Sequence, residues 1–174
     1  MKLLCILIIF FITLNFTSCS KKFINKNPTG KIFPSVKGQS LNKKIFNIPE
    51  DFYGEKILFL IGFVQNSQFD IDRWTIGLDQ SGSTVKVFEL PATQGFFPIL
   101  FKTRLDNSMR NGIPSEIWGG VITIYKDGIK LQKFTGNKNP NNTRVVLIDE
   151  FGKVIFFHDR GFSVKALNIL NESI

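Results

Sequence analysis

The chain has 174 residues and carries 22 Lys plus Arg against 14 Asp plus Glu, for a formal net charge of +8. That excess is local: seven lysines (Lys21, Lys22, Lys26, Lys31, Lys37, Lys43 and Lys44) and no acid lie between residues 20 and 44, and from residue 45 onward 14 cations meet 14 anions. A neutral body argues against nucleic acid as a partner, since a nucleic-acid footprint needs cations on the folded surface.

Lys2 precedes an almost unbroken apolar run over residues 3–16, followed by Thr17, Ser18 and Cys19. This is the layout of a secretory signal, and the run is short for a membrane span, which takes about 20 residues. Phe16-Thr17-Ser18-Cys19 resembles a bacterial lipobox, which implies lipidation at Cys19 after removal of residues 1–18. Cys5 would leave with the signal, so the mature chain would have no thiol for a disulfide or thiol chemistry. Residues 19–32 read as a basic, flexible tether that could also gain from an anionic membrane, and residues 33–174 as one domain.

Along that domain, the continuous apolar run over residues 56–64 reads as a central strand buried on both faces. Ser67 is placed to cap a following helix with Ile71, Trp74 and Leu78 at helical spacing. Gly82 ends it, and residues 84–90 alternate as a second strand, which makes the pair parallel. A helix opening near Pro98 would carry Phe101, Leu105 and Met109 on one face and stop before Gly112. Residues 120–125 read as a strand, residues 144–148 and 153–158 as a hairpin, and Ser163 as the cap of a last helix with Val164, Leu167 and Leu170. The fold class expected is α/β, with a central mixed sheet flanked by helices.

That order, together with Phe33-Pro34-Ser35-Val36-Lys37-Gly38, Gly54-Glu55-Lys56 and the stretch Val146-Leu147-Ile148-Asp149-Glu150-Phe151-Gly152-Lys153-Val154, resembles a thioredoxin-like fold of the peroxiredoxin-related kind. Pro49-Glu50-Asp51-Phe52-Tyr53-Gly54, Gln68-Phe69-Asp70-Ile71-Asp72-Arg73-Trp74 and Met109-Arg110-Asn111-Gly112-Ile113-Pro114 resemble the mitochondrial ATPase-complex assembly factor family and its bacterial relatives. The resemblance implies a domain that has lost redox chemistry and helps other proteins assemble. Where redox-active members place a cysteine, this chain has Gln65-Asn66-Ser67-Gln68, and where many have a cis-proline it has Thr143.

Other chemistry at that loop would need partners that the sequence supplies poorly. Ser67 lacks a nearby base, the one histidine being His158 on a distant strand, so a simple helix cap is the favoured reading. Asp70 and Asp72, two apart on a helix, diverge and read as first-turn acids rather than metal ligands. Phenylalanine is abundant and belongs mostly to the core, with Gly95-Phe96-Phe97-Pro98 as a candidate exposed step. The expectation is therefore a non-catalytic lipoprotein domain without cofactor or metal. It would be lipid-anchored at the cell envelope, more readily at the outer membrane than the inner, and bind an envelope protein through Gln65, Asn66, Ser67, Gln68, Trp74 and Thr143. The competing reading is a small-ligand-binding domain, or an unrecognised non-thiol enzyme, using the same concavity.

Overall fold

The computed structural model describes residues 23–93 and 97–174. The signal, Cys19, and Gly95 and Phe96 of the apolar step lie outside the described residues. Strand β1 spans Val36–Ser40, β2 Ile45–Ile48 and β3 Ile57–Gly62; helix α1 spans Gln68–Gln80, and β4 follows at Lys86–Pro91. A short helix α2, Phe97–Leu100, is broken from α3, Lys102–Gly112; β5 is Ile122–Thr123 and α4 is Gly128–Thr135. The chain ends with β6, Arg144–Ile148, β7, Val154–His158, and α5, Val164–Ser173.

The main sheet has the order β4-β3-β6-β7, with β4 parallel to β3 and the other neighbours antiparallel. All six residues of β3 are buried, as its unalternating apolar sequence requires of a strand covered on both faces. On one face α1 and α5 bury Ile71, Trp74, Leu78, Leu167 and Leu170 against Leu58, Leu60, Val145 and Leu147. Ser163 caps α5 as its sequence position suggests, its side chain accepting from the Ala166 amide at 3.2 Å.

The opposite face is covered by a second sheet, of which the sequence announces only β5 within residues 120–125, and by a helix that it conceals. A small sheet of order β2-β1-β5 contributes Val36, Phe46, Ile48 and Ile122, and α4 contributes Leu131. Phe33, Phe46, Phe52 and Phe59 meet there in tilted, stacked and edge contacts, so much of the phenylalanine content serves this core.

The helix expected from Pro98 is interrupted at Phe101, and its intended apolar face is not buried: Phe101 and Leu105 are exposed, and Asp106 is the buried residue of α3. Leu105 and Met109 border an open groove instead.

The described part of the tether is not free either. The Phe23 amide donates to Asn137 Oδ1, the Asn137 amide donates to the Phe23 carbonyl, and Lys26 N donates to the Thr135 carbonyl at 3.0 Å. Asn25 Nδ2 reaches Asp159 Oδ2 at 2.7 Å, and farther along Gly30 and Lys31 pair with Val154. Residues 23–32 therefore run along the domain, and the local lysine excess is dispersed: Lys31 lies beside β7 whereas Lys44 sits over the Phe46 ring in the β1–β2 hairpin.

Gly136 permits this docking. Its φ of +79° and ψ of 168° fall where only glycine is at ease, and an added Cβ would lie 2.3 Å from the Asn25 Cα. Gly136→Ala is therefore expected to release residues 23–25. Strain of about 1–3 kcal/mol should appear as amide exchange roughly 5- to 150-fold faster at Lys26 and Asn137, with the β3 amides little changed.

Candidate functional site

The loop after β3 adopts a 3-10 turn over Gln65–Ser67 and runs straight into α1. It forms one wall of a groove of about 740 Å³ whose other walls come from Pro91, Ala92 and Thr93 after β4, from Leu105, Ser108 and Met109 on α3, and from Tyr125. The lining is mainly apolar, because the loop turns Phe63, Val64 and Phe69 toward a helix that offers Leu105 and Met109. Gln65, Asn66 and Gln68 are exposed at this wall.

Ser67 also lines the groove, whereas Trp74 and Thr143 lie away from it. Ser67 is buried, and its hydroxyl does not cap α1; it donates to the Val64 carbonyl at 2.6 Å and closes the preceding turn. Gly62 makes that possible, since a Cβ there would stand 2.4 Å from the Ser67 hydroxyl. Trp74 is fully buried between α1 and the sheet, with His158 and Phe162 at ring distances of 5.6 and 5.4 Å, so it faces the core and not the loop. Thr143 is also fully buried. Helical period explains Trp74: a residue three after Ile71 and four before Leu78 shares their inward face.

Asp70 is the residue whose role the sequence hides. Rather than sitting exposed in the first turn, it is buried, and its two oxygens accept from the amides of Thr143 at 2.9 Å and Phe162 at 2.8 Å. One carboxylate thus ties α1 to the entries of β6 and α5. An acid near a helix start is so common that no local signal marks this one. Arg144 complements it from the other side of the loop. Its fully buried guanidinium donates to the carbonyls of Gly136, Asn139 and Asn142 and lies 5.3 Å from the Phe63 ring centre; burial pulls its pKa below the usual value, with Asp159 and Asp70 opposing.

At the groove, Gln68 Nε2 donates to Asp72 Oδ1 at 2.9 Å and reaches Glu89 Oε2 at 3.5 Å. Burial raises the Glu89 carboxyl above its ordinary range; the Gln68 contact lowers it, and Asp72 adds a further upward push. A carboxyl raised in the folded state contributes stability fully present below its unfolded pKa and lost as pH rises through the folded value. Glu89→Gln is accordingly expected to raise the urea midpoint at pH 7 and to leave it unchanged at pH 3, where both proteins carry a neutral side chain.

On the far wall Tyr125 donates to Asp106 Oδ1 at 2.6 Å, and Lys102 bonds Asp106 and, at 2.7 Å, Gln39 Oε1. Burial first, and the Asp106 contact second, push the Tyr125 phenol well above its usual pKa. This cluster holds α3 to β1 and to the chain just after β5.

Of the hydroxyls at the groove, Tyr125 is joined to a carboxylate, Asp106, and Ser67 to no base among the described residues. The Ser67 proton is committed to a carbonyl, and His158 Nε2 lies 2.8 Å from the Gly161 carbonyl while its ring packs on Trp74. Among the described residues no three His, Cys, Asp or Glu side chains gather in a group that could hold a metal ion.

No protein-family model and no curated protein matches the sequence. Solved structures do match. A thiol peroxidase from Chromobacterium violaceum superposes with a TM-score of 0.59 at 15% identity, covering 89% of this chain and 93% of its own. BsSco, a member of the Sco family of cytochrome c oxidase assembly proteins, gives 0.58 at 12% identity over 86% and 95%. The exposed lipoprotein thioredoxin of Streptococcus pneumoniae gives 0.54 at 12% identity over 81% and 100%. At such identities the likeness speaks for architecture alone, and what it establishes is that this chain has a thioredoxin-like fold.

Proposed function

We propose that this chain is a lipid-anchored, redox-inactive thioredoxin-like module that binds a protein partner at the cell envelope through the groove beside Gln65, Asn66 and Gln68, in an assembly or scaffolding role. The observation that carries this reading is the groove itself: an apolar concavity at the end of β3, in the place where the resemblance would put a redox cysteine, walled by side chains that bind rather than react. The sequence supports it, since Cys5 and Cys19 are its only cysteines and Cys19 closes a lipobox-like motif. So does the likeness of residues 49–54, 68–74 and 109–114 to assembly factors.

Photo-crosslinking in cells tests it. A photoreactive residue at Gln68 or Leu105 should give one discrete protein adduct. The same residue at Phe151, which is 78% exposed in the β6–β7 turn at the opposite end of the sheet, should give none. Equal labelling from the two ends would sink the proposal. Small-ligand binding is the second reading, favoured by a volume that lies within the range of about 300–1,000 Å³ typical of such sites. An absent adduct from a folded, anchored protein, together with a thermal shift on adding a small apolar ligand, would select it.

A further inference from the structure

We infer that the end of the domain carrying Phe69, Ile24, Arg73 and Arg160 rests on the anionic surface of the bilayer that holds the lipid anchor. The inference rests on the anchored reading above and adds to it an orientation and a second ligand, the phospholipid headgroup.

Residues 23–25 are pinned to Asn137, Lys138 and Asp159, at the end of the sheet where β3 finishes and β6 begins. Cys19 is four residues from Phe23, and four residues of extended chain span at most about 14 Å. A domain of about 150 residues is roughly 40 Å across. A tether so short, leaving from one end, cannot let the domain turn over; that end must face the membrane, and the β6–β7 turn at Phe151 must point away.

The surface at that end suits a lipid bilayer. Phe69 is 69% exposed and Ile24 80% exposed. Phe69 borders a polar cleft lined by Asn66, Arg73, Asn141, Asn142 and Arg160. Among the described residues the side chains of Arg73 and Arg160, and those of Lys26 and Lys138 nearby, form no ion pair. The acids present are largely occupied: both oxygens of Asp70 take backbone amides, Asp159 takes the Asn25 side chain, and Asp72 takes Gln68. Lys21 and Lys22 follow in the sequence toward Cys19. Free guanidiniums flanked by exposed apolar side chains match an interface of lipid phosphates over acyl chains. A soluble acidic protein would match the cations but not Phe69 and Ile24.

The experiment uses the lipidated chain purified from membranes. With Cys19 blocked by its lipid, a single new cysteine at Phe69→Cys or at Phe151→Cys takes an environment-sensitive fluorophore selectively. Both positions are exposed, so neither change threatens folding. In vesicles of phosphatidylethanolamine and phosphatidylglycerol carrying brominated acyl chains, the probe at 69 should shift to the blue and be quenched at least threefold more than the probe at 151. Combining Phe69→Cys with Arg73→Glu and Arg160→Glu should reduce that difference by half or more at low salt. Equal quenching at the two positions would overturn the orientation while leaving the anchor in place. Failure of the unsubstituted chain to float with vesicles would overturn the anchor, and the inference with it. An unchanged difference after the arginine changes would remove the headgroup cleft from the account.

Discussion

Trp74→Ala is expected to cost about 3–5 kcal/mol of folding stability, the range for removing a large aromatic from a packed core. The fully buried indole shares one core cluster with Leu58, Leu60 and Val145 and meets the Phe162 ring edge-on at 5.4 Å. Its Nε1 is buried without a hydrogen-bond partner among the described residues, so Trp74→Phe loses volume but also removes an orphan donor. That variant should lose no more than about 1.5 kcal/mol. Urea denaturation checks both values. It also separates a packing role from the surface role that the sequence suggests, because Trp74→Phe should leave crosslinking from Gln68 intact.

Asp70→Ala is the second large expected effect, about 3 kcal/mol or more. Hydrogen bonds to a charged group contribute about 1.5–3 kcal/mol each, and this change strands two amides at once. The loss should carry a local signature. The amide resonances of Thr143 and Phe162, 73 and 92 residues away in sequence, should move most in an amide correlation spectrum, whereas the hairpin turn at Phe151 should be still. A loss spread evenly over the spectrum, or a cost below about 1 kcal/mol, would mean that the carboxylate is not the clasp described here.

The main sheet was legible because its signals are local and strong. Residues 57–62 are apolar without alternation, which only a strand covered on both faces explains, and residues 144–148 and 154–158 flank a turn with Gly152 at positive φ. The second sheet was legible only at β5, which lies within the strand read at residues 120–125. β2 has four residues and establishes no period, and α4 opens on a glycine and offers few apolar residues to read as a stripe. The interrupted helix at residues 97–112 shows the opposite failure: Phe101, Leu105 and Met109 carry the right period, but a period says which residues share a face and not whether a surface waits to cover it.

The candidate site divides along the same line. Gln65, Asn66 and Gln68 could be placed because a loop after a central strand must surface at its end. Ser67 lines the groove as read, but its hydroxyl bonds the Val64 carbonyl instead of capping α1; Trp74 and Thr143 went astray because their partners, the α5 side of the core and the Asp70 carboxylate, depend on how separate segments meet. Asp70 and Arg144 act entirely through such meetings, and no composition or spacing announces them.

The clasp between the first described residues and the last third of the chain also sets an order of events. Phe23 bonds Asn137 across 114 residues, and Asn25 bonds Asp159 across 134. Contacts of such separation close late, since each must wait for the intervening chain. All the strands of both sheets lie before residue 159 in the chain, yet the Asn25 contact cannot close until that residue has been added. The segment at residues 23–25 is therefore among the last parts of the domain to be fixed.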